Sequence, residues 1–260
     1  MLAFIHIEKA AGTVVNSCLR LIFGHNHVDV EPWDNRSDYF SKDDLRRLKI
    51  ITPGVRSIAG HKIKPYGDLE TYEEPINYYT FLRDPITRCA SHYQYHINIM
   101  GLNIPFVDWI NDKNYQNFQV KKISGNNDIT KAKEIISSKI FFVGILEEFD
   151  QSARRFYKRI GIDLGVAKNY KVRENIATDN NIKNMLLADP ESKERLIKAN
   201  QLDIELYSFA KKFNSMKQTE DNQRVIEKPS RMKLYLNILY RNTYYKPILM
   251  LYRKFCTTKM

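Results

Sequence analysis

Two strand–loop–helix units constrain this chain more than any other feature. Residues 4–7 form a short apolar run that ends in Glu8-Lys9-Ala10-Ala11-Gly12-Thr13 and leads into Val14, Val15, Cys18, Leu19, Ile22 and Phe23 at helical spacing. The pattern returns at residues 77–82, rich in Tyr, Thr and Phe, followed by Arg83-Asp84-Pro85 and a helical stretch to about Met100. Asp84 suits an N-cap and Pro85 a first helical position, so a helix is expected to start there. Further strands are expected at residues 56–59 and 140–146, the latter followed by a helix over about 148–160 with Phe149, Ala153, Phe156 and Tyr157 on its apolar side. Strands alternating with helices imply an α/β fold, a mainly parallel central sheet flanked by helices. Ligands of such sheets collect at the carboxyl ends of the strands, where Lys9 and Arg83 both fall.

Residues 101–139 read as helices and polar loops, and 191–213 as one long amphipathic helix offering Leu196, Leu202, Leu206, Tyr207 and Phe209 to the core. One catalytic-sized domain over residues 1–213 is the economical organisation. A polar linker at 214–230 and a basic amphipathic helical tail at 231–260 follow, with Pro247 placed to start a second short helix.

Charge refines this division. Lys and Arg number 41 against 30 Asp and Glu, a net charge of +11 that favours polyanionic partners. Eight of the basic residues lie in residues 228–260, which hold no acidic residue, leaving +3 for the rest of the chain. An excess confined to a terminal segment speaks against nucleic acid as the partner. The tail can lie in a membrane interface, pack on the domain, or meet a second subunit.

The three cysteines, Cys18, Cys89 and Cys256, show no CxxC spacing, which argues against a disulfide framework or zinc cluster and favours a reducing compartment. The amino terminus lacks a basic segment followed by a long apolar stretch, and no run of about 18 apolar residues occurs. The expectation is a cytoplasmic protein without a signal peptide or spanning helix, for which the inner face of a membrane is one location left open.

Both loops have the makings of oxyanion sites. A helix amino terminus offers unpaired backbone donors and the positive end of a dipole. Gly12 permits a close turn, Thr13 adds a hydroxyl and Lys9 a mobile charge. An ATP- or GTP-type loop would set its Lys beside the hydroxyl residue after two glycines, so that reading is disfavoured. At the second junction Arg83 and Ser91, with Arg88 between them, suit a second phosphate. The blander alternatives are a solvated Lys9, a merely turning Gly12, an Arg83 paired with a nearby carboxylate and a Ser91 packed on its helix.

In order along the chain, F-I-H-I-E-K-A-A-G-T at 4–13 and F-L-R-D-P-I-T-R-C-A-S-H-Y at 81–93 resemble the two donor-binding motifs of the PAPS-dependent carbohydrate sulfotransferases, especially the heparan sulfate 2-O-sulfotransferase branch. The likeness continues through 117–125, 141–150 and 206–213 and covers about residues 2–213. It implies that PAPS (3'-phosphoadenosine 5'-phosphosulfate) is the co-substrate and PAP (3'-phosphoadenosine 5'-phosphate) the product. Lys9, Ala11, Gly12 and Thr13 would bind the 5'-phosphosulfate, Lys9 would also stabilise the departing oxygen, and Arg83 and Ser91 would hold the 3'-phosphate. Ala10 and Ala11 stand where Thr or Gly often stand in the family.

The family-like base for the acceptor hydroxyl is His61 in I-A-G-H-K, after an expected strand; the alternative is an ordinary loop histidine. Residues 62–67 follow the family pattern only loosely. The implied partner is a carbohydrate, acidic or lipid-linked, and no metal is expected. His25 with His27, and His92 with His96, are spaced like ligand pairs but lack an evident third ligand, so packing or surface roles are expected. Glu8 is expected to be a solvated partner of a lysine, and Lys121 and Lys122 exposed lysines of a polar helix. A competing function is a non-catalytic polyanion or membrane-surface binding module with a degenerate nucleotide site.

Overall fold

Leu2, Ala3, Phe4 and Ile5 are all buried, so the first strand has no solvated side and must lie inside a sheet covered on both faces. The structure, a computed structural model, describes residues 1–165, 181–216, 230–240 and 243–244. In chain order the elements are β1 (Leu2–Ile5), α1 (Gly12–Phe23), β2 (His27–Asp29), α2 (Lys42–Ile51), β3 (Ser57–Gly60), β4 (Asn77–Leu82), α3 (Pro85–Asn98), α4 (Phe106–Asn111), α5 (Phe118–Ser124), α6 (Ile129–Ser138), β5 (Ile140–Ile145) and α7 (Phe149–Ile160). Then come α8 (Asn181–Ala188), α9 (Pro190–Ala199), α10 (Gln201–Met216) and α11 (Arg231–Tyr240).

The five strands are all parallel, in the order β2-β3-β1-β4-β5. The α/β expectation therefore holds. Because side chains alternate along a strand, Ala3 and Ile5 join one apolar layer with Leu45, Ile123, Ile136 and Leu206, while Leu2 and Phe4 join the other with Leu19, Phe156 and Ile160. Helices α2, α5, α6 and α10 thus cover one face, and α1 and α7 the other. A third cluster, Cys89, Tyr93, Trp109, Leu186 and Leu196, ties α3, α4, α8 and α9 together beside the sheet.

Local chemistry sets several boundaries. Asp84 accepts a hydrogen bond from the Thr87 amide at 2.8 Å, with Pro85 in the first turn, as expected from the sequence. Ser41 and Asp44 cap α2 reciprocally, a helix that the periodicity did not reveal. The helix expected over 191–213 is two helices that meet at Asn200, whose backbone leaves helical geometry and whose Nδ2 donates to the Leu196 carbonyl. The first strand stops at Ile5 rather than Ile7, freeing six residues for the loop before α1.

Helix α10 runs to Met216, inside the region expected to be linker; residues 217–229 and the second tail helix expected at Pro247 lie outside the described residues. Helix α11 packs on α1 through Leu234 and Leu21, with Ile238 partly buried beside them. Asn237 donates through Nδ2 to the carbonyl oxygens of Leu21 (2.7 Å) and Ile22 (3.3 Å), satisfying the end of α1. Gly24, at φ 58°, makes room: a Cβ there would stand 2.2 Å from Asn237 Oδ1.

Candidate active site

Three neighbouring strands, β3, β1 and β4, deliver His61, the 6–11 loop and Arg83 to the same carboxyl edge of the sheet. Parallel pairing makes this unavoidable, since every strand points its carboxyl end the same way.

The 6–11 loop is tightly wound. Lys9 and Ala11 are left-handed, at φ 65° and 66°, a conformation that costs a side-chain-bearing residue roughly 1–2 kcal/mol. Ala11 offers α1 no side-chain cap, so the first turn relies on backbone geometry, and turns of this kind gather amide dipoles toward an anion. Gly12 has a second role beyond its turn: a Cβ there would lie 1.7 Å from His6 Nε2. The His6 ring stacks between Phe4 and His61, with centroids 5.7 and 4.0 Å away, and cannot easily yield.

Lys9 Nζ rests over the Tyr95 ring, 4.9 Å from its centroid, and burial, then the nearby Arg83 charge, lowers the ammonium's pKa. Arg83 donates from Nη1 to the Lys9 carbonyl at 3.0 Å, which joins the two loops. That contact replaces the carboxylate pairing considered for Arg83. Its backbone is clamped by Gln119, which accepts from the Arg83 amide (3.0 Å) and donates to the Arg83 carbonyl (2.9 Å). Gln119 is in turn held through its amide by buried Asp203, which also accepts from Val120. Burial raises the Asp203 pKa although Arg88 and these amides oppose it.

Ser91 is half-buried, one turn before Tyr95 on α3, and so faces the side of that helix that covers Lys9. Arg88 is fully buried instead, its guanidinium over Phe118 and Nη1 3.4 Å from His92 Nδ1.

On the other side of the loop, His61 Nδ1 lies 3.0 Å from the His6 carbonyl and 3.3 Å from Glu8 Oε1. Both neighbours are acceptors, so Nδ1 carries the proton of the neutral ring and Nε2 is left as the acceptor. Glu8 Oε1 also receives Lys122 Nζ at 2.9 Å, and Lys122 donates to the His61 carbonyl at 3.3 Å. Burial disfavours the Glu8 charge, but the His61 hydrogen bond and the Lys122 ammonium overcome it and hold the carboxyl far below the usual range. Glu8 is therefore a partly buried member of the site rather than a solvated partner of Lys9. Lys122 is likewise largely buried, with a side chain only 13% exposed.

Gln119, Asp203 and Tyr95 were not signalled by the sequence, because their contacts span 36 to 86 residues to Arg83, Gln119 and Lys9. The histidine pairs are accounted for by packing. His27 is buried against Ser57, and His92 and His96 sit in an aromatic cluster where His96 Nδ1 accepts from Trp109 Nε1. Among the described residues no group of three or more His, Cys, Asp or Glu side chains is arranged to hold a metal ion, and no helix is long and apolar enough to cross a membrane.

No curated protein matches the chain. A family model described as the sulfotransferase family matches residues 1–210, from β1 into α10, and spans all three loops of this edge. Those loops and that match together mean that the chain belongs to the sulfotransferase family, whose chemistry is the transfer of a sulfuryl group.

Proposed function

We propose that the protein moves a sulfuryl group from PAPS to a hydroxyl of a carbohydrate acceptor and releases PAP. The observation that carries this reading is the meeting of Lys9, Arg83 and His61 at one sheet edge, with the His61 ring oriented by two acceptors on Nδ1.

The chemistry follows from the groups. The acceptor oxygen attacks sulfur and its proton passes to His61 Nε2, while the bond from sulfur to the bridging phosphate oxygen breaks and its electron pair stays with PAP. Charge grows on that oxygen in the transition state, where fixed cationic and amide donors count most. Lys9 and the first turn of α1 with Ala11, Gly12 and Thr13 would supply them. The lowered pKa of Lys9 makes its proton easier to share with the leaving oxygen. Arg83 and Ser91 would hold the 3'-phosphate and fix the donor's direction.

On the acceptor side Lys64 is buried beside Lys122, Glu8 and Lys62, and burial foremost, then the Lys122 charge, lowers its pKa to about 8. A clustered set of ammonium groups next to His61 supports an acidic carbohydrate, in keeping with the heparan sulfate 2-O-like sequence pattern.

The test is transfer of labelled sulfate from PAPS to a panel of capsular, lipid-linked and glycosaminoglycan-like acceptors, together with PAP-induced thermal stabilisation. Lys9→Ala is expected to lower kcat about 10²–10³-fold with the fold intact. Folded wild-type protein that PAP does not stabilise would overturn the reading.

A further inference from the structure

Helix α11 shows two different sides. Leu234 and Asn237 face α1 and are buried, with Ile238 beside them. Met232 (71% exposed), Tyr235 (60%), Leu236 (55%), Leu239 (41%) and Tyr240 (40%) recur at i, i+3, i+4, i+7 and i+8 and form a second apolar stripe that faces outward. The hydrogen bonds from Asn237 to the Leu21 and Ile22 carbonyls, and its fit against Gly24, fix which side is presented. Rolling the outward stripe into the domain would orphan the last carbonyls of α1.

Contiguous exposed apolar surface on a folded domain marks an interaction site, and the charge around it selects the partner. Residues 228–260 hold eight Lys or Arg and no Asp or Glu. A second copy of the chain would bring the same positive segment to the contact and be repelled. An acidic polysaccharide would answer the charge but leave the Tyr and Leu side chains in water. A bilayer with anionic headgroups answers both: its charge is opposite to the net positive charge that the sequence carries over 228–260, and the aromatic and aliphatic groups of α11 enter the interfacial layer.

We propose that the outward side of α11 docks the protein on an anionic phospholipid surface. The geometry also keeps the active site clear. Asn237 holds the carboxyl-terminal end of α1, roughly 14 Å along that helix from the Gly12 turn at 1.5 Å per residue, so the oxyanion loop and the lipid-facing stripe lie toward opposite ends of one helix.

The experiment is co-sedimentation of the full chain with phosphatidylcholine vesicles made with and without phosphatidylglycerol, over a range of salt, beside light-scattering measurement of molar mass. Binding is expected only with phosphatidylglycerol, weakening as salt rises, and falling at least about tenfold in L236D/L239D. The milder L236S/L239S is expected to bind at an intermediate level, and a cooperative thermal unfolding transition followed by circular dichroism reports in each case that the domain is folded, with PAP-induced stabilisation measured beside it. Since that readout is separate, loss of lipid binding and failure of the sulfuryl-transfer reading are distinguishable. The proposal is overturned if the folded variants bind as wild type does, if wild type binds neither vesicle or binds independently of salt, or if wild type is a dimer that the same substitutions dissolve.

Discussion

Gly12 links the proposed donor loop to the proposed base through His6, because the missing side chain is what admits the His6 ring, and His6 in turn stacks on His61 and holds it through its carbonyl. Gly12→Ala is expected to destabilise the fold by about 1–3 kcal/mol, as over-packing does, and to lower transfer activity as well, whereas Lys9→Ala lowers activity without loss of stability. Urea unfolding alongside the transfer assay checks both. Glu8 tests the acceptor half. Its carboxylate is held far below the usual range, so under the proposed mechanism it would balance the positive charge formed on His61 by the acceptor's proton. Glu8→Gln is expected to cut kcat at least about tenfold and to move the acid limb of the kcat–pH profile to lower pH, a shift that a merely structural role would not produce. The residue types of Lys9, Gly12, Arg83 and His61 were legible in the sequence. The engagement of Glu8 with Lys122 was not, because the two are separated by 114 positions and nothing local foretells the pairing.

Among the elements, α3 was the easiest to read and bears the most on the donor side, since Asp84-Pro85 sets its start and Ser91 and Tyr95 ride on it. Asp84→Ala is expected to remove about 1 kcal/mol of stability and to reduce PAP-induced stabilisation, measured by thermal unfolding with and without PAP. Periodicity revealed α1 and α7 because each turns an apolar side onto the sheet; the other side of α7 meets water, while that of α1 is half-buried and partly covered by α11. It missed the break at Asn200, because α9 and α10 each continue an apolar pattern and their division depends on where Leu196 and Leu206 are buried, one among the peripheral helices and the other under the sheet. Three-residue β2 was too short for alternation to register.

For the molecule as a whole, folding encloses histidines that resist protonation. Burial, the largest cause for each, lowers the pKa of His6 to about 3, with His61 adding to it, of His27 to about 4, and of His92 to about 3, with Arg88 adding to it. Each has a folded pKa below its unfolded value near 6.5, so the unfolded chain takes up protons first and stability declines as pH falls from about 6.5 toward 4. Urea unfolding between about pH 7 and pH 5 is expected to show this decline, and His27→Asn to flatten it by up to about 1.4 kcal/mol per pH unit. Glu8 acts in the same direction in stronger acid, where protonation would end its two contacts. By itself the sequence determined the alternation of strands and helices, the two strand-to-helix loops and the uneven charge, all of which are encoded within short windows by spacing, capping residues and composition. Only the tertiary structure decided the order of the strands, the clamp of Gln119 and Asp203 on Arg83, the Glu8–His61–Lys122 cluster and the side that α11 turns outward. Those depend on which distant surfaces bury each other, and no local window carries that.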